Sequence, residues 1–275
     1  HIVDRRLLQM EKEGTRFRPG VNVGVDITGA QLRSRYDAVV LAVGATQWRD
    51  LNIAGRDFKG IYQAMEYLPW GNKEALGEIT ERPINVEGKD VIILGGGDTG
   101  ADCLGTAIRQ GAKSVTQLEI MPMPPEVRAS NNPWPQWSLI YRTSSAHEEG
   151  GERVFSVNTE RFIDDGNGNV RALLIHEVEF VNGSFVKVEG TEQEIPADLV
   201  FLAMGFVSPV QQVLDAFGVE KDARGNAKAS TEGDKAYFTN VSKVFAAGDM
   251  RRGQSLVVWA IREGRQCARA VDEFL

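Results

Sequence analysis

Apolar runs that end at glycine recur along the chain. Residues 37–44 and 198–205 each begin with Asp, continue as an apolar run and end at Gly, and residues 244–248 repeat the apolar run and the glycine. Short apolar runs bounded by turn residues are typical of strands buried on both faces of a parallel sheet. The pattern therefore predicts three buried strands that each end in a tight turn.

A further apolar strand opens a different unit. Residues 89–94 run directly into a glycine-rich turn, residues 98–110 have the pattern of a helix ending at Gly111, and residues 114–119 form the next strand. Two strands joined through a helix in about 30 residues indicate a βαβ unit with parallel strands.

The remaining segments have weaker signals. Residues 61–70 resemble a short helix that stops near Pro69, and Asn182-Gly183 between alternating strands predicts a two-residue hairpin. Residues 121–137, rich in Pro and Trp, predict a structured loop in which the aromatic side chains pack against the loop. His147-Glu148-Glu149 is predicted to be a solvated loop.

Composition excludes several classes of function. With 31 basic and 38 acidic residues the net charge is −7, and no basic stripe suggests nucleic-acid binding. No apolar run approaches the roughly 20 residues of a membrane-spanning helix, so we expect no membrane contact and a cytoplasmic location. The two cysteines, Cys103 and Cys267, are expected to be buried thiols and cannot hold an iron–sulfur cluster alone. No metal site and no catalytic acid–base set is predicted.

The sequence Gly95-x-Gly97-x-x-Gly100 is the main chemical motif. Between a strand and a helix, such glycines allow a tight turn, close approach of the backbone to a pyrophosphate, and close packing of helix on strand, in that order. The helix amino terminus would bind the phosphates. The candidate dinucleotide-binding residues of this turn are Gly95, Gly96, Gly97, Asp98, Thr99 and Gly100.

Glu119 ends the second strand of this unit, 19 positions after Gly100. A carboxylate there accepts hydrogen bonds from a ribose 2′-hydroxyl and would repel the 2′-phosphate of NADP. We therefore expect NAD(H) to be favoured over NADP(H). The alternative is that Glu119 points to solvent.

Gly248-Asp249 ends the third apolar run, which places a carboxylate at the carboxyl edge of a sheet. Asp249 could accept a hydrogen bond from a ribityl hydroxyl of FAD, or could merely cap a turn or helix. The backbone of Ser255, Leu256 and Val257 starts a helix whose N–H groups would face the flavin. Gly44 and Gly205 are expected where the chain crosses between two dinucleotide-binding domains, and complete the candidate cofactor-binding residues.

Residues 95–102 and 245–260 together resemble the small (beta) subunit of glutamate synthase, and the similarity runs along essentially the whole chain. The resemblance implies an α/β fold with two Rossmann-like domains of the glutathione-reductase type. An NAD(P)H-binding domain at residues 83–204 would be inserted into an FAD-binding-type domain formed by residues 1–82 and 205–275.

The resemblance also implies an activity. In that family NAD(P)H reduces FAD, and electrons pass through iron–sulfur clusters to the large (alpha) subunit, which makes glutamate from glutamine and 2-oxoglutarate. Residues 118–125 and 132–137 resemble the NADH-type members, and a pair of arginines typical of NADPH-type members is missing. The family's cysteine-rich domain and first FAD motif precede residue 1, so we expect a fragment.

Two alternatives stay open. The chain could be a nucleotide-binding fragment without activity, or part of the electron-input subunit of another ferredoxin-linked oxidoreductase.

Overall fold

The computed structural model describes residues 2–136 and 138–275; Trp137, which the sequence analysis placed in the aromatic loop, lies outside them. The helices are α1 (Ile2–Lys12), α2 (Gly29–Arg35), α3 (Ala64–Ala75), α4 (Asp98–Arg109), α5 (Ser145–Glu148), α6 (Gln211–Phe217), α7 (Asp249–Arg252) and α8 (Val257–Phe274). The strands are β1 (Val39–Leu41), β2 (Gln47–Trp48), β3 (Ile61–Gln63), β4 (Asp90–Leu94), β5 (Ser114–Glu119), β6 (Glu152–Phe155), β7 (Val157–Asp164), β8 (Val170–Val181), β9 (Ser184–Lys187), β10 (Gln193–Pro196), β11 (Leu199–Leu202), β12 (Phe206–Ser208) and β13 (Val244–Ala246).

The chain forms two compact units. The first contains the chain up to Gln47 together with Phe206–Leu275, and the second is Trp48–Gly205. The chain thus passes from one unit to the other shortly after Gly44 and directly after Gly205, where two of the predicted glycine-terminated strands end. Both glycines have positive φ, 76° and 78°, which favours glycine at each turn.

The second unit is built on a five-stranded parallel sheet. Its strand order is β3-β11-β4-β5-β6, and each neighbouring pair runs parallel. Strands β4 and β11 are almost entirely buried, as their continuous apolar runs predict. The βαβ unit predicted from the glycine-rich turn is present as β4, α4 and β5, so that prediction is confirmed.

The first predicted domain boundary differs from the observed one. The predicted first part of the FAD-type domain ends at residue 82, but residues 48–82 belong to the second unit. The reason is the pairing of β3 with β11, in register from Ile61 with Val200 to Gln63 with Leu202. Strand pairing across about 140 residues leaves no local trace in the sequence.

The segment predicted as a short helix ending near Pro69 is also different. It begins as strand β3 and continues as α3, which contains Pro69 inside the helix and ends at Ala75. Tyr67 anchors this helix, since its ring stacks on Phe201 of β11 with centroids 4.1 Å apart and its hydroxyl donates to Gln110 Oε1 at 2.7 Å.

An antiparallel sheet of β7, β8, β9 and β10 completes the second unit. The hairpin predicted at Asn182-Gly183 joins β8 to β9, and both turn residues have positive φ. The predicted packing of loop aromatics is wrong for Trp134, whose side chain is 82% exposed.

The first unit has its own smaller core. Strands β1 and β13 pair in parallel, and Leu41, Val244 and Ala246 pack with Leu214 and Phe217 of α6. Helix α1 buries no residue. Cys103 and Cys267 are both buried free thiols, as predicted.

Candidate functional site

The turn between β4 and α4 depends on glycine at two of its positions. Gly95 has φ of +126°, and a Cβ atom there would overlap the carbonyl oxygen of Ala203 at the end of β11. A Cβ atom on Gly100 would overlap the carbonyl oxygen of Gly95. The turn therefore folds back tightly over the edge of the sheet, and helix α4 packs directly against it.

Gly97 differs from these two glycines because it faces open space. It is the N-cap residue of α4 with φ of −83°, and a Cβ atom there would meet no atom within 4 Å. No side chain caps this end of α4. The first N–H groups of a helix have no partners within the helix, so this end of α4 is an uncapped donor site suited to an anion.

A pocket of about 500 Å³ opens at this turn, at the carboxyl edge of the parallel sheet. Ligands of open α/β sheets bind at this edge. The predicted residues Gly95, Gly96, Gly97, Asp98, Thr99, Glu119 and Gly205 all line it, together with Arg49, Leu51, Leu94, Leu118, Ile120, Val157, Asn158, Thr159, Ala203 and Met204. Gly100 lies behind the turn, buried against Gly95.

The Glu119 carboxylate lies in this pocket, so the solvent-facing alternative is not observed. Its Oε2 accepts a hydrogen bond of 2.5 Å from the backbone N–H of Gly96, and its Oε1 accepts one of 3.0 Å from the N–H of Met121. The carboxylate is thus held against the glycine-rich turn, at the strand end where a ribose hydroxyl would be recognised.

Arg49 lines the same pocket and was not singled out from the sequence. It is the one basic residue among the described residues lining the pocket, and its side chain is exposed. Its backbone N–H donates to the carbonyl of Gly205 at 2.9 Å, which fixes its place beside β11. That contact joins residues far apart in the chain, and no local motif around Arg49 predicts it.

The prediction that His147 lies in a solvated loop is wrong. His147 is in the short helix α5, and its Nε2 is 2.9 Å from Oε1 of Gln117, a side chain only 2% exposed on β5. Burial, aided by the positive charge of Arg153, lowers the pKa of His147 below its usual value. Glu149, predicted in the same loop, forms a two-bond ion pair with Arg109 of α4.

The first unit contains the residues predicted to contact a flavin. Gly248 is the N-cap of α7 with φ of 74°, and its N–H donates to the buried carboxylate of Glu263 at 2.9 Å. Asp249 is partly buried, and its Oδ1 accepts a hydrogen bond from the Ser255 hydroxyl at 2.9 Å. This bond is the turn contact expected in the alternative interpretation of Asp249, and it also orients the carboxylate.

The residues that start α8 lie beside Asp249, which accepts a hydrogen bond from Ser255. Ser255, Leu256 and Val257 are exposed, and α8 begins there without a side-chain cap. Gly44, in the turn that follows β1, has no atom within 4 Å of where its Cβ would lie. Uncapped N–H groups at a helix start stabilise negative charge.

Within residues 2–136 and 138–275, no group of His, Cys, Asp or Glu side chains could hold a metal ion. Nor does any helix there have the length and apolar character needed to cross a bilayer.

Comparison with known proteins shows the family. The model of the pyridine nucleotide-disulphide oxidoreductase family matches residues 7–264. A glutamate synthase [NADPH] small chain from Mycobacterium tuberculosis is 58% identical over 99% of this chain and 56% of its own length. A glutamate synthase [NADH] from Schizosaccharomyces pombe is 45% identical over 98% of this chain and 13% of its own length.

Solved structures show the same fold at low identity. Mycobacterium tuberculosis FprA in complex with NADPH superposes with a TM-score of 0.71 and 17% identity, covering 98% of this chain and 71% of that chain. Thioredoxin reductase from T. acidophilum superposes with a TM-score of 0.59 and 20% identity, covering 86% and 66%. The predicted α/β fold class and the resemblance to glutamate synthase small subunits are thus confirmed. The chain spans 56% of the length of the Mycobacterium relative.

Proposed function

This chain belongs to the pyridine nucleotide-disulphide oxidoreductase family, and on that premise we propose that it takes hydride from NAD(P)H into FAD. The electrons would then pass, through iron–sulfur centres, to a glutamate synthase large subunit. The observation that carries the proposal is the uncapped start of α4, which opens on a pocket beside the glycine-rich turn and Glu119.

The pocket supports a specific placement of the nucleotide. The pyrophosphate would meet the N–H groups of α4 at Gly97, where the backbone is open to close approach. The adenosine ribose would meet Glu119, already held against the N–H of Gly96. Arg49 supplies positive charge to the same pocket.

We propose NADH as the preferred reductant. The Glu119 carboxylate would repel a 2′-phosphate, and the one basic residue among the described pocket lining, Arg49, is bonded through its backbone N–H to Gly205, after β11, and does not belong to β5. The relatives carry both NADH and NADPH in their names, so the family alone does not decide between them.

FAD would be held in the first unit by Asp249, through a ribityl hydroxyl, and by the exposed N–H groups at the start of α8. When bound, the two cofactors supply the hydride-transfer chemistry, which requires no acid or base side chain. Cys103 and Cys267 are unsuited to a dithiol role, because burial raises the pKa of both thiols, that of Cys267 to about 11.

A second candidate is a nucleotide-binding unit that does not turn over by itself. The chain spans 56% of the length of the Mycobacterium relative, which favours this candidate. The relative's whole activity would then need residues that this chain does not include. The electron acceptor could also be the large subunit of another ferredoxin-linked oxidoreductase; copurification with a large amidotransferase subunit would separate that case from the proposed one.

The visible absorption spectrum separates the first two candidates. The purified chain would be incubated with FAD, freed of unbound flavin, and mixed anaerobically with NADH. Retained flavin whose absorption bleaches on addition of NADH is the expected result. Retained flavin that does not bleach, although calorimetry shows NADH bound, would contradict the proposal. NADH binding without retained flavin would favour the second candidate.

A further inference from the structure

Gln117 occupies an unusual place for an amide side chain. It lies on β5, is 2% exposed, and donates from Nε2 to the carbonyl oxygen of Gly95 at 2.7 Å. A Cβ atom on Gly100 would overlap this same Nε2 atom. The amide therefore fills the space between the first and third glycines of the motif, on the side of the turn away from the pocket.

A hydrogen-bond chain fixes which way this amide points. The backbone N–H of Ser144 can only donate, and it lies 3.2 Å from Nδ1 of His147, so Nδ1 is an acceptor. In a neutral imidazole the proton is then on Nε2, which donates to Oε1 of Gln117 at 2.9 Å. Gln117 consequently turns its NH₂ group toward the carbonyl of Gly95.

The charged groups near His147 favour this neutral form. Arg153 of β6 approaches it, while Arg109 of α4 is paired with Glu149 beside α5. Burial and the charge of Arg153 both lower the pKa of His147. Glu148, on the same short helix, is exposed and solvated.

The hydrogen bond from Gln117 to the Gly95 carbonyl also sets the direction of the Gly96 N–H, which belongs to the same peptide unit. A trans peptide unit is planar, with its C=O and N–H pointing in opposite directions. Because Gln117 binds the carbonyl of Gly95 on the buried side, the N–H of Gly96 in the same peptide must point toward the pocket. That N–H is the donor that binds Oε2 of Glu119.

We propose that Gln117 and His147 are positioning residues for nucleotide binding, which set the Gly95–Gly96 peptide and, through it, the Glu119 carboxylate. This inference rests on the proposed nucleotide site. Neither side chain lines the pocket, so both act only through the glycine-rich turn.

The test compares NADH affinity, measured by calorimetry, among matched variants. Gln117→Leu removes the amide, His147→Leu removes the donor that orients it, and His147→Gln keeps an N–H donor near the position of Nε2. We expect the two leucine variants to weaken NADH binding at least about tenfold, equivalent to about 1.4 kcal/mol. His147→Gln should stay within about twofold of wild type.

Tyr67→Phe is the matched control, because it removes another buried hydrogen bond of the same unit, to Gln110 at the far end of α4. It should lower the melting temperature without changing NADH affinity. The amide resonance of Gly96 in NMR spectra gives a second readout. It should shift in Gln117→Leu and His147→Leu and keep its wild-type position in His147→Gln and Tyr67→Phe.

The outcomes separate this inference from the proposed function. If wild type fails to bind NADH, the proposed nucleotide site itself is wrong. If wild type binds NADH and both leucine variants bind it equally well, the positioning role is contradicted. The same holds if His147→Gln binds as weakly as His147→Leu. Should Gln117→Leu fail to fold, the pair of His147 variants still decides the matter.

Discussion

At the scale of single residues, the glycine-rich turn shows what a local motif can and cannot predict. The separate roles of Gly95, Gly97 and Gly100 follow from their spacing, because backbone geometry between a strand and a helix is a local property. Arg49 and Gln117 could not be found this way. Their positions depend on contacts with Gly205 and Gly95 that join distant parts of the sequence.

Glu119→Arg tests the proposed cofactor preference. The change removes the carboxylate that would bind a ribose hydroxyl and adds a charge that attracts a 2′-phosphate. We expect NADH affinity to fall and NADPH affinity to rise, each by about tenfold, in parallel calorimetric titrations. Equal affinities in wild type and variant for both nucleotides would contradict a role of Glu119 in nucleotide recognition.

At the scale of elements, the local βαβ pattern was predictable while the long-range partners of its neighbours were not. Periodicity and glycine spacing locate β4, α4 and β5, but the assignment of β3 and α3 to the same unit follows only from pairing with β11. Helix α5 is four residues long, too short for a periodic signal, and its contact with Gln117 is tertiary.

A buried carboxylate on helix α8 holds the turn next to Asp249, the residue proposed to bind FAD. Glu263 is 2% exposed and binds the N–H of Gly248, Arg251 through both oxygens, and Arg252. Burial alone would raise the pKa of Glu263, but the hydrogen bonds from Arg251 and Gly248 outweigh it and the pKa is lowered. The turn that presents Asp249 is thereby tied to α8.

Glu263→Gln should destabilise the first unit by about 2 kcal/mol or more, because it leaves two arginines without their anion. Urea unfolding measures the loss. A lowered carboxyl pKa adds stability above its unfolded-state value, about 4.3, that is lost as the pH falls through the folded-state pKa. Wild type should therefore lose more stability than the variant below about pH 4.3.

Glu273→Gln on the same helix is the control. Glu273 pairs with Arg269 one turn away, with both side chains mostly exposed. Such a pair contributes only about 0.3–0.5 kcal/mol. A loss in Glu263→Gln no larger than in this control would contradict the role assigned to Glu263.

At the scale of the whole molecule, the sequence predicts two nucleotide-binding units, with the chain passing from one to the other at Gly44 and at Gly205. In the structure the chain passes between two compact units next to those residues. Each unit presents one predicted set of residues. The second has the glycine-rich turn with Glu119, and the first has Asp249 with the start of α8. The boundary predicted at residue 82 differs from the observed one because residues 48–82 carry no strong motif of their own.

Calorimetric titration of Gly97→Val with NADH tests most directly whether a pyridine nucleotide binds at the glycine-rich turn. Gly97 has an extended backbone and open space around it, so valine should fit at a cost of about 1 kcal/mol as a poorer N-cap. Its side chain would nevertheless stand where the pyrophosphate must approach. Gly264→Ala, at another open position on α8, controls for substitution of glycine itself.

If the nucleotide binds there, wild type and Gly264→Ala bind NADH with equal affinity, while Gly97→Val, still folded by its melting curve, binds at least about tenfold more weakly. Equal NADH affinity in folded Gly97→Val and wild type would contradict nucleotide binding at the glycine-rich turn.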